Sequence, residues 1–203
     1  MKAIMSSFQI TKRFFSVLIL LSITGCSWYV NTQMIVEHDE VKSSTRVKRD
    51  FIYKDALEKA SPLYYARQTI LKETKAHEPS NYTVFEVLNL HSNAYSVDKQ
   101  AYLLIDSAVY PIMIEAMESE NTSSIEEDTD DILAADSTEV SIVTGYTQLN
   151  SRKFKLTYSL APSIIEHLKE ARDVKFRYYS GPDMITLKMS NGDVRKLKKL
   201  ITT

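Results

Sequence analysis

The chain is short of the residues that staple or punctuate a fold. One cysteine among 203 residues excludes an internal disulfide framework and a zinc site built from cysteines. Four glycines leave little material for a phosphate-cradling loop, and no glycine-flanked serine forms a nucleophile elbow. With only five prolines as well, collagen-like and low-complexity classes are excluded. A net charge of −1 supplies no basic field, so no nucleic-acid partner is implied. Lysine and arginine are absent between Lys99 and Arg152, although eleven acids occur there. What remains, 44% hydrophobic and 25% charged residues, fits one folded domain or two small ones.

The N-terminus carries an export pattern. Lys2, Lys12 and Arg13 precede an apolar run from Phe14 to Ile23, which is shorter than the roughly 20 apolar residues a spanning helix needs. Next comes Ile23-Thr24-Gly25-Cys26, an aliphatic residue, two small residues and the one cysteine. Small residues let the backbone enter a peptidase, and a thiol can be alkylated to a lipid-bearing thioether. This segment resembles the lipobox of bacterial lipoproteins. The resemblance implies cleavage between Gly25 and Cys26, lipidation of the Cys26 sulfur and acylation of the new amino group. Two or more acyl chains, each contributing about 0.8 kcal/mol per buried methylene, hold a protein on a membrane without a spanning helix. Ser27 stands where the family uses aspartate for inner-membrane retention, so an outer-membrane destination follows if the host has two membranes. The motif covers about the first 26 residues and is silent on the rest.

Cleavage would remove three positive charges and no acid, lowering the net charge from −1 to −4. The local imbalance is larger, since Arg152 to the C-terminus carries twelve lysines and arginines against five acids. Residues 26–50 read as a lipidated cysteine and tether, and within them 38–50 is polar with little periodicity and reads as a tether or an extended edge segment. The folded domain is therefore expected over 51–203. A short helix is predicted at 54–60, ending before Ser61-Pro62. Strands follow at 64–72, 82–90, 101–106 and 109–114, the last an edge or bulged strand because Pro111 cannot donate to a ladder. Mutual repulsion among the acids of 118–139 predicts a mobile loop.

Two strands at 140–147 and 153–158 are expected to pair across Leu149-Asn150-Ser151. In the second, Phe154, Leu156 and Tyr158 alternate with Lys153, Lys155 and Thr157, the pattern of a half-buried strand. Pro162 opens a helix with Ile164, Ile165, Leu168 and Ala171 on one stripe. A hairpin at 174–178 and 184–189 turns across Ser180-Gly181-Pro182-Asp183. A last helix then follows Asn191, with Val194, Leu197, Leu200 and Ile201 sharing a face. The order of elements predicts an α+β fold, an antiparallel sheet with two or three short helices packed on it, besides the cleaved signal helix.

Chemistry-bearing motifs are few. Asp128, Asp130, Asp136 and Glu139 fit part of a calcium-loop register, but Ile132 and Leu133 occupy its next ligand and turn-glycine positions. The segment therefore reads as solvated acid. His38, His77, His91 and His167 show no metal-ligand spacing, and no metal or other cofactor is implied. Arg177, Tyr178 and Tyr179 form the most distinctive surface candidate, because an arginine amid aromatic rings can stack on an anionic ligand. The expected protein is a membrane-anchored, noncatalytic binding or interaction domain of the bacterial envelope. Its partner would be an envelope protein or a small anionic ligand. An envelope hydrolase would instead show a deep pocket lined by groups of perturbed pKa. A structural envelope protein would show a broad exposed strand edge or apolar patch and no pocket.

Overall fold

A computed structural model describes residues 33–133 and 138–203. Among these residues ten strands and two helices run in the order β1 (Ile35–Asp39), β2 (Ser44–Tyr53), β3 (Leu63–Lys75), β4 (Asn81–His91), β5 (Gln100–Ile105), β6 (Ala108–Met113), β7 (Ala116–Leu133), β8 (Glu139–Ser159), α1 (Pro162–Glu170), β9 (Val174–Ser180), β10 (Asp183–Lys188) and α2 (Asn191–Thr202). They form a six-stranded sheet, β1-β2-β3-β4-β8-β7, and a four-stranded sheet, β10-β9-β5-β6. Every pairing is antiparallel.

The α+β expectation is overturned. Strands take 62% of the described residues and helices 13%, in two antiparallel sheets with a half-barrel. Three segments account for the difference. The 54–60 stretch does not coil: it straps onto β10, where Leu57 N–H donates to Thr186 O at 2.9 Å and Glu58 Oε2 accepts from Thr186 N–H at 2.8 Å. So short a helix could not repay its nucleation cost, whereas pairing to a strand edge satisfies its backbone at once. The polar 38–50 segment, expected as a tether or an extended edge segment, supplies the end of edge strand β1 and most of β2, and Ser44 and Val47 are buried. In its described part the acidic 118–139 segment is not a loop. Ala116 to Leu133 form one strand that pairs with β8 along its whole length, and β8 runs unbroken through Leu149-Asn150-Ser151.

Alternation decides what each strand buries. Tyr82, Val84, Leu88 and Leu90 of β4 face inward, as do Phe154, Leu156 and Tyr158 of β8 and Val174, Phe176 and Tyr178 of β9. The two helices add Ile164, Ile165 and Leu168, then Val194, Leu197, Leu200 and Ile201, to the same core. Helix α2 is capped by Ser190, whose hydroxyl accepts from Asp193 N–H at 3.1 Å. Gly181 turns the β9–β10 hairpin at φ +58°, and any side chain there would strike the ring of Tyr95. Pro111 lies on β6, which is an edge strand as its missing donor requires. Among the described residues no helix is long and apolar enough to cross a membrane.

Candidate functional site

Two regions hold chemistry that burial alone does not explain: a polar cluster inside the core, and a ribbon beyond it. The cluster centres on Glu86, which is 1% exposed. It occupies a core-facing position of β4, between Val84 and Leu88, where the alternation would otherwise place an apolar residue. Neighbouring strands supply its partners. Tyr178 of β9 donates to Glu86 Oε2 at 2.6 Å, Gln68 Nε2 of β3 at 2.8 Å and Tyr158 of β8 at 3.1 Å. The two tyrosine hydroxyls lie 2.8 Å apart, and Tyr53 of β2 donates to Gln68 Oε1 at 3.1 Å. Tyr178 belongs to the four-stranded sheet, so its hydroxyl ties the two sheets together through Glu86.

All three donors converge on Oε2, while Oε1 is buried with no hydrogen-bond partner among the described residues. Burial disfavours the charged carboxylate and the converging donors favour it; burial wins, raising the Glu86 pKa to about 7. Burial first, and the Glu86 charge second, hold the phenols of Tyr53, Tyr158 and Tyr178 well above their ordinary value. They therefore serve as neutral donors. Glu86 lines neither of two open clefts on the surface. One, of about 410 Å³, is bordered by Lys59, Pro62, His91, Tyr95 and Asp183; the other, of about 270 Å³, by Asp106, Tyr110, Glu166, His167 and Glu170. A carboxyl sealed between two sheets can titrate but cannot reach a substrate in either cleft.

The ribbon is made by the mismatch in strand lengths. β4 pairs with β8 only from Thr83↔Ser159 to His91↔Ser151, whereas β7 and β8 continue together from Ser123↔Asn150 to Leu133↔Glu139. This two-stranded arm extends about 35 Å past the sheet at roughly 3.3 Å per residue. Every residue from Ser123 to Ile132 is exposed. Ile125 is 71% exposed and Tyr146 68%, and Ile132, Val140, Ile142, Val143 and Leu149 are exposed as well. A bulge between Asp128 and Thr129 shifts the pairing beside Gly145. Near the base, Glu118 and Glu120 each lie 3.9 Å from Lys155 Nζ. Beyond them no base is available within the arm.

The sequence candidates fare differently. Gly25 and Cys26 lie outside the described residues, as does Asp136 of the calcium-like register. Arg177, Tyr178 and Tyr179 do not form one surface, because consecutive strand residues point to opposite faces. Tyr178 is fully buried against Glu86, while Arg177 donates from Nε to Thr186 Oγ1 at 3.0 Å and Tyr179 meets the Tyr102 ring edge-on at 5.9 Å. His167 is exposed beside the Tyr110 ring, 5.2 Å away, and His91 lies against Tyr64 at 4.0 Å. Among the described residues no three metal-ligating side chains converge. The cluster had a readable signal, since Glu86 and Gln68 both fall in the buried phase of apolar alternation. No protein-family model matches the chain, and no curated protein matches it either.

Proposed function

We propose that this chain is a membrane-anchored lipoprotein of the bacterial envelope whose folded domain is a noncatalytic interaction module, with the β7–β8 arm as its contact element. The observation that carries the reading is the arm: a ribbon of two strands, exposed on both faces, carrying apolar side chains in water. A lone hairpin is marginally stable in water, and a third strand or a packed surface completes it. Acids on both of its faces, Glu126 and Asp130 on one and Glu127 and Asp131 on the other, do not suit insertion into lipid. The anchor rests on Ile23-Thr24-Gly25-Cys26 and the charged, apolar leader before it. Outer-membrane placement follows from Ser27 where the host has two membranes.

The anchor is tested by fractionating cells fed labelled fatty acid. Cys26→Ser abolishes labelling and membrane retention while the domain stays folded; unchanged labelling in the mutant refutes the anchor. The contact element is tested by deleting it. Joining Thr122 to Ser151, which are cross-strand neighbours, through Asn-Gly closes the hairpin at its base. The shortened protein stays folded and anchored but loses its in-cell cross-links to neighbouring envelope proteins. Cross-links that survive the deletion place the contact elsewhere.

A further inference from the structure

We propose that the free edge of β7 receives an extended, cationic segment of a partner protein, added as a strand, with lysine or arginine at alternate positions. This rests on the arm being the contact element and specifies what the arm contacts. β7 ends the six-stranded sheet, so beyond Thr122 its outer edge presents backbone donors and acceptors that no described strand pairs. An edge of this kind is a template for strand addition.

Its charge decides which strand. Glu126, Asp128 and Asp130 recur at alternate positions on one face, spaced roughly 7 Å apart as two strand rises require. Glu127 and Asp131 stand on the other face. Two of these acids accept from hydroxyls: Thr147 donates to Asp128 Oδ2 at 2.8 Å, and Ser141 donates to Asp131 Oδ1. Hydroxyls leave the negative charge in place. The basic residue at the foot of the arm, Arg152, already donates to Ala94 O at 3.2 Å and lies over the Phe154 ring. A second copy of β7 would set acid beside acid, which destabilises neighbouring strands. The same row therefore rejects self-pairing and admits a strand whose own alternate side chains are positive. Ile132, next on the face of Asp130, offers that strand an apolar contact at the end of the row.

The test uses the full-length chain in detergent and a synthetic peptide of alternating threonine and lysine. Peptide binding slows amide exchange across 123–132 by at least about tenfold. A peptide of the same charge, N-methylated at alternate amides so that it cannot add as a strand, does not slow it. The triple variant Glu126→Gln, Asp128→Asn, Asp130→Asn keeps its circular dichroism and binds the peptide about tenfold more weakly or worse. Equal protection by the N-methylated peptide reduces the contact to diffuse charge attraction and overturns the proposal. So does undiminished binding by the triple variant, or sedimentation showing that the unmodified chain dimerises through β7. Failure of the peptide while arm-dependent cross-links persist in cells removes the cationic strand alone. Cross-links that survive excision of 123–150 remove the contact element itself.

Discussion

Glu86 and the acids of the arm are carboxylates of one six-stranded sheet, and they have opposite fates. Glu86 stands where β4 is covered by the second sheet, and two tyrosines and a glutamine donate to one of its oxygens. Glu126 to Asp131 stand where β7 and β8 have outrun every other strand, with water on both faces. Position, not residue type, assigns the role. Inside, a single acid couples proton uptake to stability; outside, a row of acids contributes little to the core and is free to select a partner. The sheet thus divides into a body that keeps its shape and an extension that presents charge.

The sharpest way to break this contrast is to treat both sets of acids alike. Glu86→Ala strips the acceptor from Tyr178, Tyr158 and Gln68 and leaves a cavity, so denaturant unfolding at pH 6 should show a loss of about 3–5 kcal/mol. The pH dependence comes next. Unfolded, the Glu86 carboxyl titrates near its ordinary value of 4.5; folded, it titrates at about 7. The folded protein therefore holds a proton that the unfolded chain has released. The Glu86 contribution is fully present below pH 4.5 and is lost as pH rises from there to about 7, by about 3 kcal/mol. Glu86→Gln should flatten that slope, with unfolding curves from pH 4.5 to 8.5 as the check. Wild type and variant running in parallel would show that Glu86 does not titrate in this window.

Tyr178→Phe sharpens the comparison by cutting the bond between the sheets. The loss should be about 1–2 kcal/mol at pH 8, where Glu86 is ionised, and smaller at pH 5. Smallest is the arm. Replacing residues 123–150 by Asn-Gly should change the unfolding free energy by less than about 1 kcal/mol, because 123–132, 138–144 and 146–150 are solvent-exposed and only Gly145 among the residues of described burial is partly covered. A much larger loss would make the arm part of the core rather than an extension of it.

The legible parts of the fold are those whose pattern has one period. Phe154-Leu156-Tyr158 alternates and is buried, Ile164, Ile165 and Leu168 recur at helical spacing and are buried, and Pro111 lies on an edge. In the acidic stretch, repulsion along the chain favours a loop, but the pleat divides that repulsion between two faces. Strand geometry sends Glu126 and Glu127 to opposite faces, and pairing with Val140, Ile142 and Val143 supplies β-branched neighbours. Polarity leaves 38–50 open between tether and edge segment: as part of the first two strands of the sheet it needs only a few inward residues, such as Val47. Tyr178 was legible in principle, since Val174, Phe176 and Tyr178 share one face and Arg177 and Tyr179 the other. That Glu86 would meet Tyr178 was not, because 92 residues separate them and no local pattern encodes the contact between sheets.

The most direct test of the division between body and arm is site-specific photo-cross-linking in intact cells. One probe replaces Tyr146 on the arm, and another replaces Phe85, 42% exposed on the body of the same sheet. The arm probe should form a discrete adduct that disappears when 123–150 is excised, while the body probe yields none. An adduct at Phe85 with nothing at Tyr146 would contradict the account.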